Sequence, residues 1–247
     1  PIRVLRGVRL ISSYNLRYGL EITEAMRVAI KRLCVVSGER IRDELFKCLA
    51  VPDFDTVIRL LGDFGVVDQL RLLTFGVDPA EPFVQQDDTE TLSSLHEMTD
   101  NLDDELQESN LTTDTEFEHM QAYQDMLDVP LQGGRKQRHL LLLSSILLHI
   151  HPAFDHDQPG TDRFQPEMFA EQISRALLIG QKEKAYFKAV SGGFLRLAEL
   201  STQEPGKLDY YRFFRDFGVY GLDSALLALV ETETKPPLLH FNPGVCR

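Results

Sequence analysis

A chain of 247 residues with 43% hydrophobic side chains holds ample material for a buried core, in one large domain or two small ones. Its net charge of −12 speaks against nucleic acid when taken as a total, but the charge is unevenly spread. Residues 72–134 hold 16 Asp/Glu and no Lys/Arg, which leaves +4 on the remainder, and the first fifty residues carry a net +5.

No apolar run approaches the roughly 18–20 residues that cross a bilayer. No signal sequence is expected from these opening residues, and Pro1 in place of an initiator Met fits a processed protein or a piece of a longer one. Cys34, Cys48 and Cys246 lack metal-ligand spacing and cannot all pair, so a reducing compartment is expected.

In chain order, residues 2–18 predict a helix. Leu5, Val8 and Ile11 recur at helical spacing, Arg3, Arg6 and Arg9 track one side, and Gly19 marks the stop. Thr23 is expected to cap a second helix reaching Leu33, with Ala25, Met26, Ala29 and Ile30 on its apolar face. Ser37 caps a third, whose stripe is Ile41, Leu45 and Leu49 with Phe46 and Cys48 alongside, and Pro52 breaks it. Asp53 or Asp55 starts a fourth, which carries Val57, Ile58 and Leu61 and stops near Gly65.

Within the acidic run, Leu92, Leu95, Met98, Leu102 and Leu106 predict an amphipathic helix between loop-like flanks, the second of them "ESNLTTDTEFE". "QGGRK" reads as a flexible basic hinge, lacking the spacing of a phosphate loop. Leu140–Ile150 is a buried helix, and "HPAFDHDQPGTDRF" a long loop. Further helices are expected over Pro166–Leu178, Gln181–Ala189, Gly193–Leu200, Leu208–Phe217 and Leu222–Val230, before an irregular tail. No strand alternation and no fixed repeat is visible, so the fold class is all-α. The organisation is a basic helical region at 1–71, an acidic insertion at 72–134, a helical body at 135–232 and a tail at 233–247.

Three stretches then appear in a telling order. "PIRVLRGVRLISSYNLRYGLEIT" follows the form D-P-x-R-x-L-R-x-x-R with an aromatic, a glycine and an acidic turn behind it. "VSGERIRDEL" follows S-x-E-R-I-x-x-E-L, and "DTVIRLLGDFGVVDQL" follows a helix ending in L-x-x-x-G-L-L. Together they resemble the class II tRNA nucleotidyltransferase/poly(A) polymerase family, which includes the CCA-adding enzymes. The likeness is specific over residues 1–70 and looser over about 139–230. There "YYRFFRDFGVYGLDSALLALV" resembles a late body helix but lacks its Trp.

The resemblance implies a neck, body and tail without the catalytic head, whose carboxylates would hold Mg and whose Gly-Ser loop would hold nucleotide. No cofactor is then expected in this chain. Arg3 matches the Arg of the family's base-reading E-D-x-x-R motif, whose Glu-Asp would stand immediately before Pro1. In the family, body and tail hold tRNA by its backbone and shape.

Of the candidate residues, Arg6, Arg9, Arg17, Arg27, Lys31 and Arg32 form a set that would bind RNA phosphates by counterion release. The bland alternative is a solvated surface paired with Glu21 and Glu24. Glu39, Arg40 and Glu44 match the second motif, which braces the neck in the family, and their spacing suits ion pairs across a helix turn. His149, His151, Asp155, His156 and Asp157 have the chemistry of metal ligands, but they lie in or beside a Pro/Gly loop with no second cluster, so no metal site is assigned. The close pair Asp103–Asp104 has no glycine loop opposite it for two-metal chemistry, and no catalytic residue is assigned.

The expectation is a non-catalytic binding or scaffold subunit derived from this family. It would have protein partners in a larger organellar assembly, contact tRNA-like RNA and reside in the mitochondrion, with cytosol or nucleus as the alternative. A second expectation is the RNA-holding part of an active CCA- or poly(A)-adding enzyme whose head lies outside this chain. A third is an unrelated helical adaptor.

Overall fold

The computed structural model describes residues 1–77, 93, 94, 96, 114–130, 135–154, 164–201 and 205–233. These form an all-α fold of eleven α-helices with two short 3-10 turns, and among the described residues the only extended pairing is an isolated bridge between Pro130 and Lys136.

The basic half comprises α1 (Ile2–Tyr14), α2 (Leu20–Ile30), α3 (Gly38–Leu49), α4 (Phe54–Asp63) and α5 (Val66–Phe75). α1 buries Val4, Leu5, Val8 and Ile11 against α3 and α4. α3 answers with Ile41, Leu45, Cys48 and Leu49, all within a few per cent of complete burial. Each such aliphatic side chain is worth about 1.5–3 kcal/mol against exposure. Asp53 caps α4 by accepting from the Thr56 amide at 3.2 Å.

The remainder comprises α6 (Asp114–Leu127), α7 (Gln137–His149), α8 (Pro166–Leu177), α9 (Gln181–Ser201), α10 (Lys207–Phe217) and α11 (Tyr220–Glu233). α9 is the axis, packing on α7, α8, α10 and α11. α7 is buried almost all round, as an apolar run without an amphipathic pattern requires. α8 joins the halves by lying on α3 and α5 as well as α9, and α3 also touches α7, so one apolar core runs from α1 to α11.

Besides the end of α2, which comes at Ile30 rather than Leu33, five boundaries differ from the sequence expectation. α1 stops at Tyr14 because Asn15 takes the left-handed conformation at φ 47°. Gly19 is therefore the N-cap of α2 rather than the end of α1, and Thr23 lies inside that helix. Gly65, at φ 70°, separates α4 from an additional helix, α5. Residues 114–118, expected as loop, belong to α6.

The fifth difference is at Gly192 and Gly193. α9 runs through them unbroken, because their missing side chains serve packing rather than a turn. A Cβ on Gly193 would lie 2.3 Å from Ser224 Oγ, so the glycine lets α11 approach. Of the amphipathic helix expected at Leu92–Leu106 only residues 93, 94 and 96 are described, all helical, and the tail at 234–247 lies outside the described residues.

Candidate nucleic-acid interface

The basic residues divide into those that hold the fold and those that face solvent. Glu44 is buried beneath α1, its side chain only 6% exposed. Arg6 Nε donates to its Oε1 at 3.3 Å and Lys47 Nζ to the same oxygen at 3.2 Å. Arg9 Nε faces Oε2 at 3.8 Å, a charge contact longer than a hydrogen bond. One carboxylate thus ties α3 to two turns of α1. Beside it, Cys48 Sγ meets the Leu5 carbonyl at 3.4 Å, and burial, aided by the Glu44 charge, pushes this thiol up to about 12. Glu39 and Arg40 are exposed and have no ion-pair partner among the described residues.

Arg27 closes the end of α4. Its Nε donates to the Asp63 carbonyl at 2.5 Å, where a cation meets the negative end of the helix dipole. Tyr18 anchors the α1–α2 connection: its ring packs edge-on to Phe64 at 5.7 Å, and its hydroxyl accepts from Arg59 at 3.2 Å. Arg17 beside it stays exposed. So do Arg3 on α1 and Lys31 and Arg32 after α2, and none of these four has a partner among the described residues. Tyr14, Leu16, Leu20, Ile22 and Val28, on α1, α2 and the connection between them, are exposed apolar groups.

The other candidates do different work. His149 Nδ1 lies 2.8 Å from the Ser145 carbonyl, one turn back on its own helix. His151 sits in an aromatic cluster, 4.6 Å from the Phe75 ring and 4.9 Å from Phe164, and its Nδ1 accepts from the Ala153 amide at 3.1 Å. No group of three metal-binding side chains occurs among the described residues, and Asp155, His156 and Asp157 lie outside them. No described helix is long and apolar enough to cross a membrane.

Arg135, expected in a flexible hinge, is instead a clamp. Its guanidinium lies over Phe46 at 5.2 Å and pairs with Glu183 at 2.9 Å and Asp43 at 3.7 Å. Four helices meet at Asp223. Tyr123 and Gln137 donate to it at 3.0 Å each, and Tyr186 at 2.6 Å. Burial raises this carboxyl to about 6 in spite of the three donors. Burial and the Asp223 charge also hold both tyrosines well above the ordinary phenol range, so they remain donors.

A groove of about 440 Å³ between α8, α9 and α10 involves none of the basic face. Its rim cations are already paired, Lys188 with Glu167 at 2.9 Å and Arg196 with Glu199 at 2.7 Å, which leaves little free charge for a polyanion.

Residues 19–73, nearly all of α2–α5, match the family model described as "Probable RNA and SrmB- binding site of polymerase A". At that coarse level the segment resembles a poly(A) polymerase-like RNA-binding region, a likeness that supports the poly(A) polymerase/tRNA nucleotidyltransferase family over these residues alone. No curated protein matches the chain.

Proposed function

We propose that this chain is an RNA-binding subunit of poly(A) polymerase-like descent that holds RNA without catalysing nucleotide transfer. The observation that carries the proposal is the set of exposed, uncompensated cations at Arg3, Arg17, Lys31 and Arg32, three of which stand beside or inside the matched segment. Arg6, Arg9 and Arg27 add fixed charge from positions already tied to the fold. An RNA strand laid on this face releases counterions from its phosphates. The acidic run at 72–134 supports a second class of partner, a basic protein, and with it membership of a larger assembly, for which we propose the mitochondrion.

The test is fluorescence anisotropy of a labelled RNA of roughly 12 nucleotides against the chain at graded salt. Log affinity is expected to fall with log salt at a slope of about −2 to −4, and replacing Arg17 or Lys31 by Ala should flatten it by about 0.7 each. A salt-independent affinity, or none, overturns the RNA reading. Incorporation of nucleotide into RNA by this chain alone overturns the non-catalytic reading. The match to a polymerase A site favours one alternative: the RNA-holding part of an active CCA- or poly(A)-adding enzyme, with a Mg-dependent head elsewhere. Co-purification of the endogenous protein with that activity, rather than in a large assembly, supports it.

A further inference from the structure

The outer face of α1 is more than a row of charges. Arg3, Arg6, Leu10 and Tyr14 follow at steps of three and four, the spacing that lines up one helix face. All four are exposed, while Val4, Leu5, Val8 and Ile11 turn into the core. At 1.5 Å per residue the stripe runs roughly 16 Å. α1 contains no acidic residue, and Glu44 of α3 is already shared among Arg6, Arg9 and Lys47. The stripe therefore carries a positive surplus along its length and ends on an aromatic ring.

That ring is unusually open. Tyr14 is 70% exposed and has no ring or hydrogen-bond partner among the described residues. Leu16 and Leu20, at 49% and 74%, are exposed with it just beyond the helix end. An exposed aromatic in line with a free cation, Arg3, and a half-exposed one, Arg6, whose partner carboxylate is shared three ways, is a composition that holds unpaired nucleotides: the cations take phosphates and the ring takes the face of a base. A duplex keeps its base faces stacked inside and offers such a ring only backbone and edges.

We propose that the α1 stripe is a single-strand site, with RNA phosphates along Arg3 and Arg6 and an unpaired base stacked on Tyr14. This rests on the RNA-binding reading above and adds to it a preference for unpaired RNA, set by one ring. The surplus of cations favours a polyanion over a protein surface as the occupant.

The test compares the full chain with its Tyr14→Ala and Tyr14→Phe variants, on oligo(A) of roughly 12 nucleotides and on an RNA duplex of the same length, by anisotropy at fixed salt. The exposure of Tyr14 makes both changes neutral to folding, which circular dichroism and a cooperative melt check. Tyr14→Ala should weaken single-strand binding by about tenfold, Tyr14→Phe should retain it, and duplex binding should not change. An unchanged single-strand affinity in Tyr14→Ala assigns the ring to another partner, a protein included, and overturns the inference while RNA binding stands. An equal loss on both RNAs overturns it too, because the ring then selects nothing. Failure of the unaltered chain to bind either RNA overturns both this inference and the reading beneath it.

Discussion

Glu44 is the residue through which the first and third helices are joined, and its environment sets what its loss costs. The carboxylate is buried, but Arg6 and Lys47 keep half their side chains in water, so screening trims each pair. Removing it leaves Arg9, about a third exposed, as the cation that loses most, while Arg6 and Lys47 turn to water. Glu44→Ala should therefore lower stability by only about 1–2 kcal/mol, read as a lower urea midpoint with an unchanged slope. Glu44→Gln keeps an acceptor for Arg6 and should recover part of the loss. A loss above about 4 kcal/mol would mean that the site is drier than its half-exposed partners indicate. The periodicity of the first helix placed Leu5, Val8 and Ile11 against the core and the arginines outside; the structure adds Val4 to the buried set. It could not separate Arg6 and Arg9, drawn to a carboxylate 35 or more positions away, from Arg3, which has no such neighbour. Pairing across that distance is a tertiary fact with no local signal.

At the scale of elements, punctuation residues proved two-valued. Gly65 and Asn15 take positive φ and end helices, as such residues do. Gly192 and Gly193 suggest the same but mark the closest approach of α9 to its neighbours. The Ser224 hydroxyl, across that gap, donates to the Val190 carbonyl at 3.0 Å. Gly193→Ala should force Ser224 aside and cost about 2–3 kcal/mol. Adding Ser224→Ala should return part of this, since the nearest clash is with the hydroxyl, although the serine Cβ at 2.8 Å remains close. A Gly193→Ala protein as stable as the parent would show that α11 shifts freely. Two periodic runs separated by glycines look alike whether the chain turns there or another helix presses in, and only the packing distinguishes them. By contrast α3 was legible in its stripe and its bounds, with Ser37 at the N-cap position, although the Ser37 side chain makes no capping hydrogen bond.

Across the whole molecule, Asp223 binds α6, α7, α9 and α11 into one body, and its four members lie 37 to 100 positions from their partners, out of reach of any motif. Its folded pKa of about 6 stands above the usual unfolded value near 3.9. The native state therefore holds an extra proton between these values. The resulting stability is fully present below about pH 4 and is lost as pH rises through 6, by an amount on the order of 3 kcal/mol. Glu167 and Glu171, held low chiefly by hydrogen bonds from Lys188 and Lys184, act in the opposite sense, losing their contribution as pH falls. The difference between the parent and Asp223→Asn isolates the first effect. Urea titrations from about pH 4 to 7 should show stability relative to the variant falling with pH, and a flat difference would place the charge elsewhere.

The seam between the two halves has a kinetic consequence. Within the basic half, α1 meets α3 and α4 over short stretches of chain, whereas the seam joins distant ones. Arg42 donates to the Leu178 carbonyl at 2.6 Å, and Gly38 has its Cα against the Ala176 carbonyl, both across more than 130 residues. Closing so long a loop is entropically slow, so local helix pairs should condense first and the seam should form late. Interactions formed after the folding barrier govern how fast a protein comes apart. In stopped-flow measurements, removing the Arg42 guanidinium should speed unfolding and leave the folding arm of the chevron where it was. A slowed folding arm would instead put the seam in the nucleus.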